Sequence, residues 1–258
     1  MRDRFVKTSN VTRFMAGLTA IQQRGAGEAC LMVVDGVPGV SKSTVVQWWA
    51  VQEDAILIRA KTKYTAAWLL RDLMEALGIK DEARKTEDMY RRVVQALAVR
   101  KQQAVKAGRM FGVAVDEIDH VLSERRRAEE ILETLRDLSD ILEIPTILVG
   151  MDRVRPALSK HPQITSRVGA YVEFLPADQT DAAAMVRDLC DVPVADCLIG
   201  CLLELSGGLL REIKEGIARI ERFGTRNGAS SDKPVTRAAM TGQLLLNDRA
   251  TGKPLHVR

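Results

Sequence analysis

The sequence predicts an α/β fold, a five-stranded parallel sheet with helices around it, followed by a smaller α-helical lid domain. Three observations carry that expectation. Five short apolar runs alternate with stretches of helical periodicity in the first two thirds of the chain. The first run, Cys30 to Val34, has no period-2 alternation and passes straight into a glycine turn and a Lys-Ser pair. From Pro176 onward only helical patterns remain. The expected organisation is an α/β domain over residues 1–175, a lid over 176–223, and a flexible linker with a C-terminal helix and tail over 224–258.

Taken in order, Ser9-Asn10-Val11-Thr12 reads as a helix start, with Phe14, Leu18 and Ile21 at helical spacing and Gly25 to Gly27 as its stop. The buried strand Cys30 to Val34 follows, then a helix through Trp48 and Trp49. Ala55 to Ala60 is a second strand. Thr65 caps a helix carrying Trp68, Leu69, Leu73 and Leu77, closed by Gly78. The polar stretch 80–85 is a loop, and Thr86 opens a long helix to about Val105. Phe111 to Asp116 is the third strand, Arg125 to Glu143 a helix, and Ile144 to Gly150 the fourth strand. A short helix spans Asp152 to Lys160, and Ala170 to Phe174 is the fifth strand. The lid holds three helices, Asp178 to Asp191, Val194 to Leu205 and Gly208 to Phe223; Gly224 to Pro234 is the linker, Thr236 to Asn247 a last helix, and Lys253 to Arg258 a loose tail.

Composition excludes several classes. A hydrophobic content of 46% with 28% charged residues is that of a packed globular protein, not a disordered one. The N-terminus has no apolar signal core and no run reaches membrane-spanning length, which together point to the cytoplasm and no membrane partner. Four cysteines, Cys30, Cys190, Cys197 and Cys201, form no CxxC pair and have no neighbouring His, so buried thiols fit better than a metal site. The net charge of +4 is mild, but basic residues cluster at Arg91-Arg92 and Arg125-Arg126-Arg127, which keeps a nucleic-acid surface open.

Two motifs carry chemistry. Gly36-Val37-Pro38-Gly39-Val40-Ser41-Lys42-Ser43-Thr44 lies between a strand and a helix, the arrangement of a phosphate-binding P-loop. Its backbone N–H groups and the helix N-terminus favour an anion; Lys42 would reach the β- and γ-phosphates of ATP, and the Ser43 hydroxyl would ligate Mg²⁺. The motif has Gly immediately before the Lys, and this chain has Ser41; if that residue takes a positive φ, Ser costs on the order of 1 kcal/mol there. The third strand ends in Asp116-Glu117, the Walker B arrangement. Asp116 would hold the water shell of Mg²⁺ and Glu117 would polarise the attacking water.

With both motifs placed, the chain resembles the AAA+ ATPases, and within them the transposition ATPases of the MuB, TnsC/TniB and IstB type. The residues that carry the resemblance are Asn10 to Phe14, Gly36 to Ser43, Tyr64 to Leu73, Val113 to Ile118, Ser166 to Val168 and Gly207 to Arg211. It implies a P-loop AAA+ domain with a helical lid, ATP and Mg²⁺ as cofactors, and ATP hydrolysis stimulated by DNA or a partner. It implies an arginine finger at Arg167, serving a neighbouring subunit's nucleotide, and a sensor-2 arginine at Arg211. Both guanidinium groups would stabilise charge on the transferred phosphoryl. The sensor-1 position falls at Gly150-Met151-Asp152, where Asp152 is the polar candidate and an acid facing a γ-phosphate would be unfavourable. Self-association into a ring or helical filament, sequence-independent binding to double-stranded DNA and recruitment of a transposase follow from the same resemblance. Lys61, Lys63, Arg125, Arg126 and Arg127 are the DNA-binding candidates, and little room precedes residue 9 for a further DNA-binding domain. Two other readings stay open: a module that binds nucleotide to assemble with little hydrolysis, and another AAA+ role such as a helicase loader, an origin-type initiator or a secretion ATPase.

Overall fold

The computed structural model describes residues 1–80 and 85–258; most of the expected 80–85 loop lies outside them. Helix α1 (Ser9–Gln22) leads into β1 (Leu31–Asp35), α2 (Lys42–Glu53), β2 (Ile56–Arg59), α3 (Ala66–Ala76) and α4 (Thr86–Lys106). Next come β3 (Val113–Asp116), α5 (Asp119–Leu122), α6 (Arg125–Leu142) and β4 (Thr146–Val149). Two short helices, α7 (Val154–Leu158) and α8 (Pro162–Thr165), precede β5 (Val168–Glu173). The remainder is α9 (Gln179–Leu189), α10 (Asp196–Ser206), α11 (Leu210–Arg226), β6 (Leu244–Asn247) and β7 (Pro254–His256).

The first five strands form one parallel sheet in the order β2-β3-β4-β1-β5. Every residue of β1, β3 and β4 is buried, which is why those runs lack alternation in the sequence. The edge strand β5 exposes alternate residues. Parallel strands align their carboxyl ends, so Asp35, Arg59, Asp116 and Val149 all end at one rim of the sheet, where α/β proteins bind ligands. Behind that rim, Phe14 meets Trp49 of α2 edge-on at 5.8 Å and Phe174 at 6.5 Å. Such pairs contribute about 0.5–1.5 kcal/mol beyond their buried area.

The described residues divide into two compact units. One is Arg13–Gly36 with Lys42–Phe174; the other is Met1–Thr12, Val37–Ser41 and Leu175–Arg258. The loop Val37–Ser41 therefore groups with the C-terminal part of the chain although both its flanks belong to the sheet unit. Within the second unit Asn10, 1% exposed, donates from Nδ2 to Val40 O at 3.3 Å and to Leu175 O at 2.8 Å, while its Oδ1 accepts from Leu175 N at 3.0 Å. Ser9 is held to Asp181 in the same unit through its backbone N at 2.7 Å and its hydroxyl at 3.1 Å.

The C-terminal segment differs from its expected form. Residues 236–247 are turns that run into β6, not a helix, and β6 pairs antiparallel with β7. The run Leu244-Leu245-Leu246 reads as helical by content alone; the turn at Asp248 to Gly252, where Gly252 N donates to Asp248 O at 2.8 Å, makes it half of a hairpin. Nor is the tail loose: Val257 is 1% exposed and packs with Leu245, Leu246 and Met240 against the lid helices. The expected flexible linker begins inside α11, where a Cβ on Gly224 would fall 2.7 Å from Val235 Cγ2, so this stretch is packed down.

Replacing Asn10 by Ala is expected to leave the Val40 and Leu175 backbone groups short of partners and to destabilise the chain by about 1–3 kcal/mol. A thermal melt reads this as a lowered Tm; an unchanged Tm contradicts the role given to Asn10.

Candidate nucleotide-binding site

The loop after β1 leaves strand geometry within one residue. Gly36 has φ +140, and a Cβ there would lie 2.3 Å from Phe174 O, a separation no side chain can occupy. Gly39 follows at φ +96 and Ser41 at φ +66. Backbone that alternates between left- and right-handed conformations turns its N–H groups to one side, the concavity that binds anions. Ser41 therefore does adopt the conformation for which the motif uses glycine, at a cost of about 1 kcal/mol.

Lys42 opens α2 and, in the sheet unit, folds back to donate from Nζ to Gly36 O at 2.6 Å. Burial pushes its ammonium below the ordinary lysine range, and the carboxylates of Asp119, Asp116, Asp35 and Asp152 oppose that shift. A desolvated cation facing four acids is one prepared for an anionic ligand with its own metal. Ser43 and Thr44 are exposed on the first turn of α2. Asp116, expected with the Ser43 hydroxyl to hold magnesium, is 7% exposed at the end of β3. Among the described residues no three His, Cys, Asp or Glu side chains converge as a metal cage. Magnesium bound mainly through phosphates and water does not need one.

Glu117 sits at φ +57, in the left-handed region, with its N–H donating to Asp116 Oδ1 at 2.9 Å. Its carboxylate pairs with Arg59 at 2.9 Å, and His120 Nδ1 lies 3.8 Å away. Asp119, 5% exposed, accepts from Met151 N at 2.6 Å. A Cβ on Gly150 would fall 2.5 Å from Asp119 Oδ1, so the tip of β4 has no room for a side chain at that residue. Asp152 beyond it is exposed. Asp35, at the end of β1, is raised by burial and lowered by its bond to Arg155, whose Nη2 donates to Oδ1 at 2.7 Å.

The AAA domain family matches residues 25–158, just over half of the chain. The chain belongs to the AAA domain family. No curated protein sequence matches it. Its fold is similar to the ORC2 protein of Aeropyrum pernix, solved as ADPNP-ADP complexes, at 16% identity and TM-score 0.65, over 90% of this chain and 68% of that one. It is similar to the ORC1 protein of the same organism in complex with DNA, at 14% identity and TM-score 0.58, over 88% of this chain and 62% of that one. The chain thus spans less than two thirds of that ORC1 protein's length. Domain III of the Thermotoga maritima replication initiation protein DnaA matches at 17% identity and TM-score 0.55, over 90% of this chain and 89% of that one.

The remaining residues expected at an AAA site are dispersed. Arg167 pairs with Asp140 at 3.0 Å, and its carbonyl accepts from Leu31 N at 3.0 Å, at the amino end of β1. The phosphate loop leaves the other end of that strand, about 15 Å along at roughly 3.3 Å per residue. Arg211 lies in the first turn of α11 with an exposed side chain, and its backbone N donates to Gly39 O at 3.2 Å within the C-terminal unit. In that same unit the guanidinium of Arg249, from the β6–β7 turn, is 3.5 Å from where a Gly39 Cβ would be and is paired with Glu212. Arg249 has no motif around it and escaped sequence reasoning; its only signal is a basic residue in a hairpin turn.

The basic candidates separate by partner. Lys61 is bound to Asp72 at 2.9 Å and lies 5.4 Å from the Trp68 ring centre. Tyr64 OH donates to the same Asp72 at 2.7 Å, and Thr65 caps α3 through Trp68 N at 3.2 Å. The turn that carries Lys61 and Tyr64 is thus braced against Asp72 of α3. Arg126 pairs with Glu130 at 3.5 Å and Arg127 with Glu124. Lys63 and Arg125 are exposed, with no ion pair among the described residues. No described helix is long and apolar enough to cross a membrane.

Ser41→Gly is expected to relieve the left-handed strain and raise unfolding stability by up to about 1 kcal/mol, less the chain entropy glycine adds. Ser41→Val is expected to lower it, as a β-branched residue tolerates that conformation worst. Chemical denaturation reads both; equal midpoints for Gly and Val contradict the assigned backbone geometry.

Proposed function

We propose that this AAA protein is an ATP-dependent, sequence-independent DNA-binding ATPase that assembles on duplex DNA, selects it as a transposition target and recruits or activates a transposase. The observation that carries the reading is the loop Gly36 to Ser41 with the desolvated Lys42 behind it and Asp116-Glu117 on the same rim. Bound ATP with Mg²⁺ supplies the transferable phosphoryl and the charge that neutralises it. The backbone amides of the loop and Lys42 would hold and orient the phosphates, and Ser43 with Asp116 would hold the ion. Glu117 takes the proton of the attacking water once its carboxylate is released from Arg59.

The position of Arg167 supports assembly. A guanidinium at the amino end of β1 cannot reach its own phosphate loop, so an arginine-finger role requires a second copy of the chain. Arg211 is the sensor-2 arginine that the resemblance implies. The transposition role rests mainly on the resemblance of residues 56–73, where Lys61 and Tyr64 are braced against Asp72 of α3. A second reading, a nucleotide-gated assembly module with slow turnover, is favoured by the strained Ser41 and by the pairing of Glu117 with Arg59.

Hydrolysis measured with and without duplex DNA separates the two. The ATPase reading expects turnover that rises with DNA, no turnover in Lys42→Ala, and none in Arg167→Ala although that variant still binds ATP as a monomer. Absence of wild-type turnover in both conditions leaves only the assembly module. Arg59→Ala is expected to raise basal turnover, by no more than about fivefold, since an exposed ion pair contributes about 1 kcal/mol at most. A fall in turnover contradicts the restraint assigned to Arg59.

A further inference from the structure

The sheet unit carries a pocket of about 420 Å³. It is built from three elements: Thr62 from the β2–α3 connection, His120 and Leu122 from α5, and Arg153, Pro156 and Lys160 on and around α7. Its composition is divided. Arg153 and Lys160 are exposed at the mouth and neither has an ion pair among the described residues. Leu122, Pro156 and Ala157 add apolar surface to the lining.

One carboxylate, Asp119, also lines the pocket. It is 5% exposed and its Oδ1 is engaged by Met151 N at 2.6 Å, so it forms the floor rather than the mouth. The carboxylate of the same Asp119 also acts electrostatically on Lys42.

We propose that this pocket is a contact for the sugar-phosphate backbone of duplex DNA, with Arg153 and Lys160 each meeting a phosphate and Leu122 and Pro156 packing against deoxyribose. The inference rests on the DNA-binding reading above and replaces most of the basic residues that sequence clusters suggested. Lys61, Arg126 and Arg127 are already paired with Asp72, Glu130 and Glu124, and each would have to leave an acid to meet a phosphate. Arg153 and Lys160 have no such bond to break. A pocket of this volume exceeds one phosphate, and a lining that combines two cations with apolar side chains suits the phosphates and sugars of a strand. An acidic peptide is the other ligand that two cations and apolar side chains would take.

The test is the salt dependence of binding to mixed-sequence duplex DNA, using the full chain with Mg²⁺ and a slowly hydrolysed ATP analogue. Each phosphate contact contributes about 0.9 to the slope of log affinity against log salt concentration. Arg153→Ala with Lys160→Ala is expected to flatten the slope by about 2 while weakening binding uniformly across sequences. The charge-conserving pair Arg153→Lys with Lys160→Arg is expected to keep the slope, which separates lost contacts from a misfolded chain. Arg126→Ala with Arg127→Ala is expected to leave the slope unchanged. If wild type binds steeply and the Arg153/Lys160 double alanine variant keeps that slope, the pocket assignment is wrong and an acidic peptide becomes its better occupant. If wild type binds no duplex at any salt concentration, the DNA-binding reading itself falls, and this contact with it.

Discussion

The carboxyl end of β1 imposes the constraint on which the rest of the molecule depends. Phe174 N donates to Asp35 O at 2.8 Å, and Phe174 O lies so near Gly36 that a Cβ there would meet it at 2.3 Å. Strand and neighbour are zipped to the last residue, and then the chain must turn away at once. Only a residue without a side chain can do so. The abrupt exit takes the backbone out of strand geometry, with positive φ at Gly36, Gly39 and Ser41. Lys42, returning its ammonium to Gly36 O, closes the loop on the strand side. The same parallel arrangement brings Asp116, Arg59 and Val149 to the same rim, so sheet topology, more than any single contact, gathers the acids around Lys42.

Much of this architecture could be read from residue patterns because the physics behind it is local or uniform. Runs such as Met32-Val33-Val34 and Ile147-Leu148-Val149 lack alternation since helices cover both faces of the sheet, and burial on both faces leaves no polar residue to mark a period. Thr65 was legible as a cap because its hydroxyl has one geometric task, met at Trp68 N. The phosphate loop was legible because strand, glycine, lysine and helix occur within fifteen residues. The strain at Ser41 could be framed only as a condition, since φ is fixed by what surrounds the loop.

What the sequence concealed depends on contacts between distant elements. Neither Arg59 nor Glu117 signals the other, and their pairing exists because β2 and β3 are neighbours in register, Arg59 opposite Asp116. Asp119 looks like one more acid in an acidic turn, yet it holds Met151 and occupies the space over Gly150, which explains why the tip of β4 carries no polar side chain there. The C-terminal hairpin was missed for a related reason. Three leucines fit a short helix as well as a strand, and the choice is settled by pairing with β7 and by the burial of Leu245 and Leu246 in one cluster with the lid helices. That hairpin in turn sets Arg249 against Gly39. Basic clusters misled in the opposite direction: adjacency in sequence marked Arg125 to Arg127, but helical spacing supplied two of them with glutamates.

The central claim is that main-chain amides and a desolvated lysine grip the phosphates of a nucleotide, and equilibrium binding of ATP compared with adenosine tests it most directly. Titration calorimetry of the full chain in Mg²⁺ is expected to give one ATP per chain, with adenosine too weak to register. Equal binding of the two ligands, or no heat with ATP at any concentration tried, would contradict the account at its foundation.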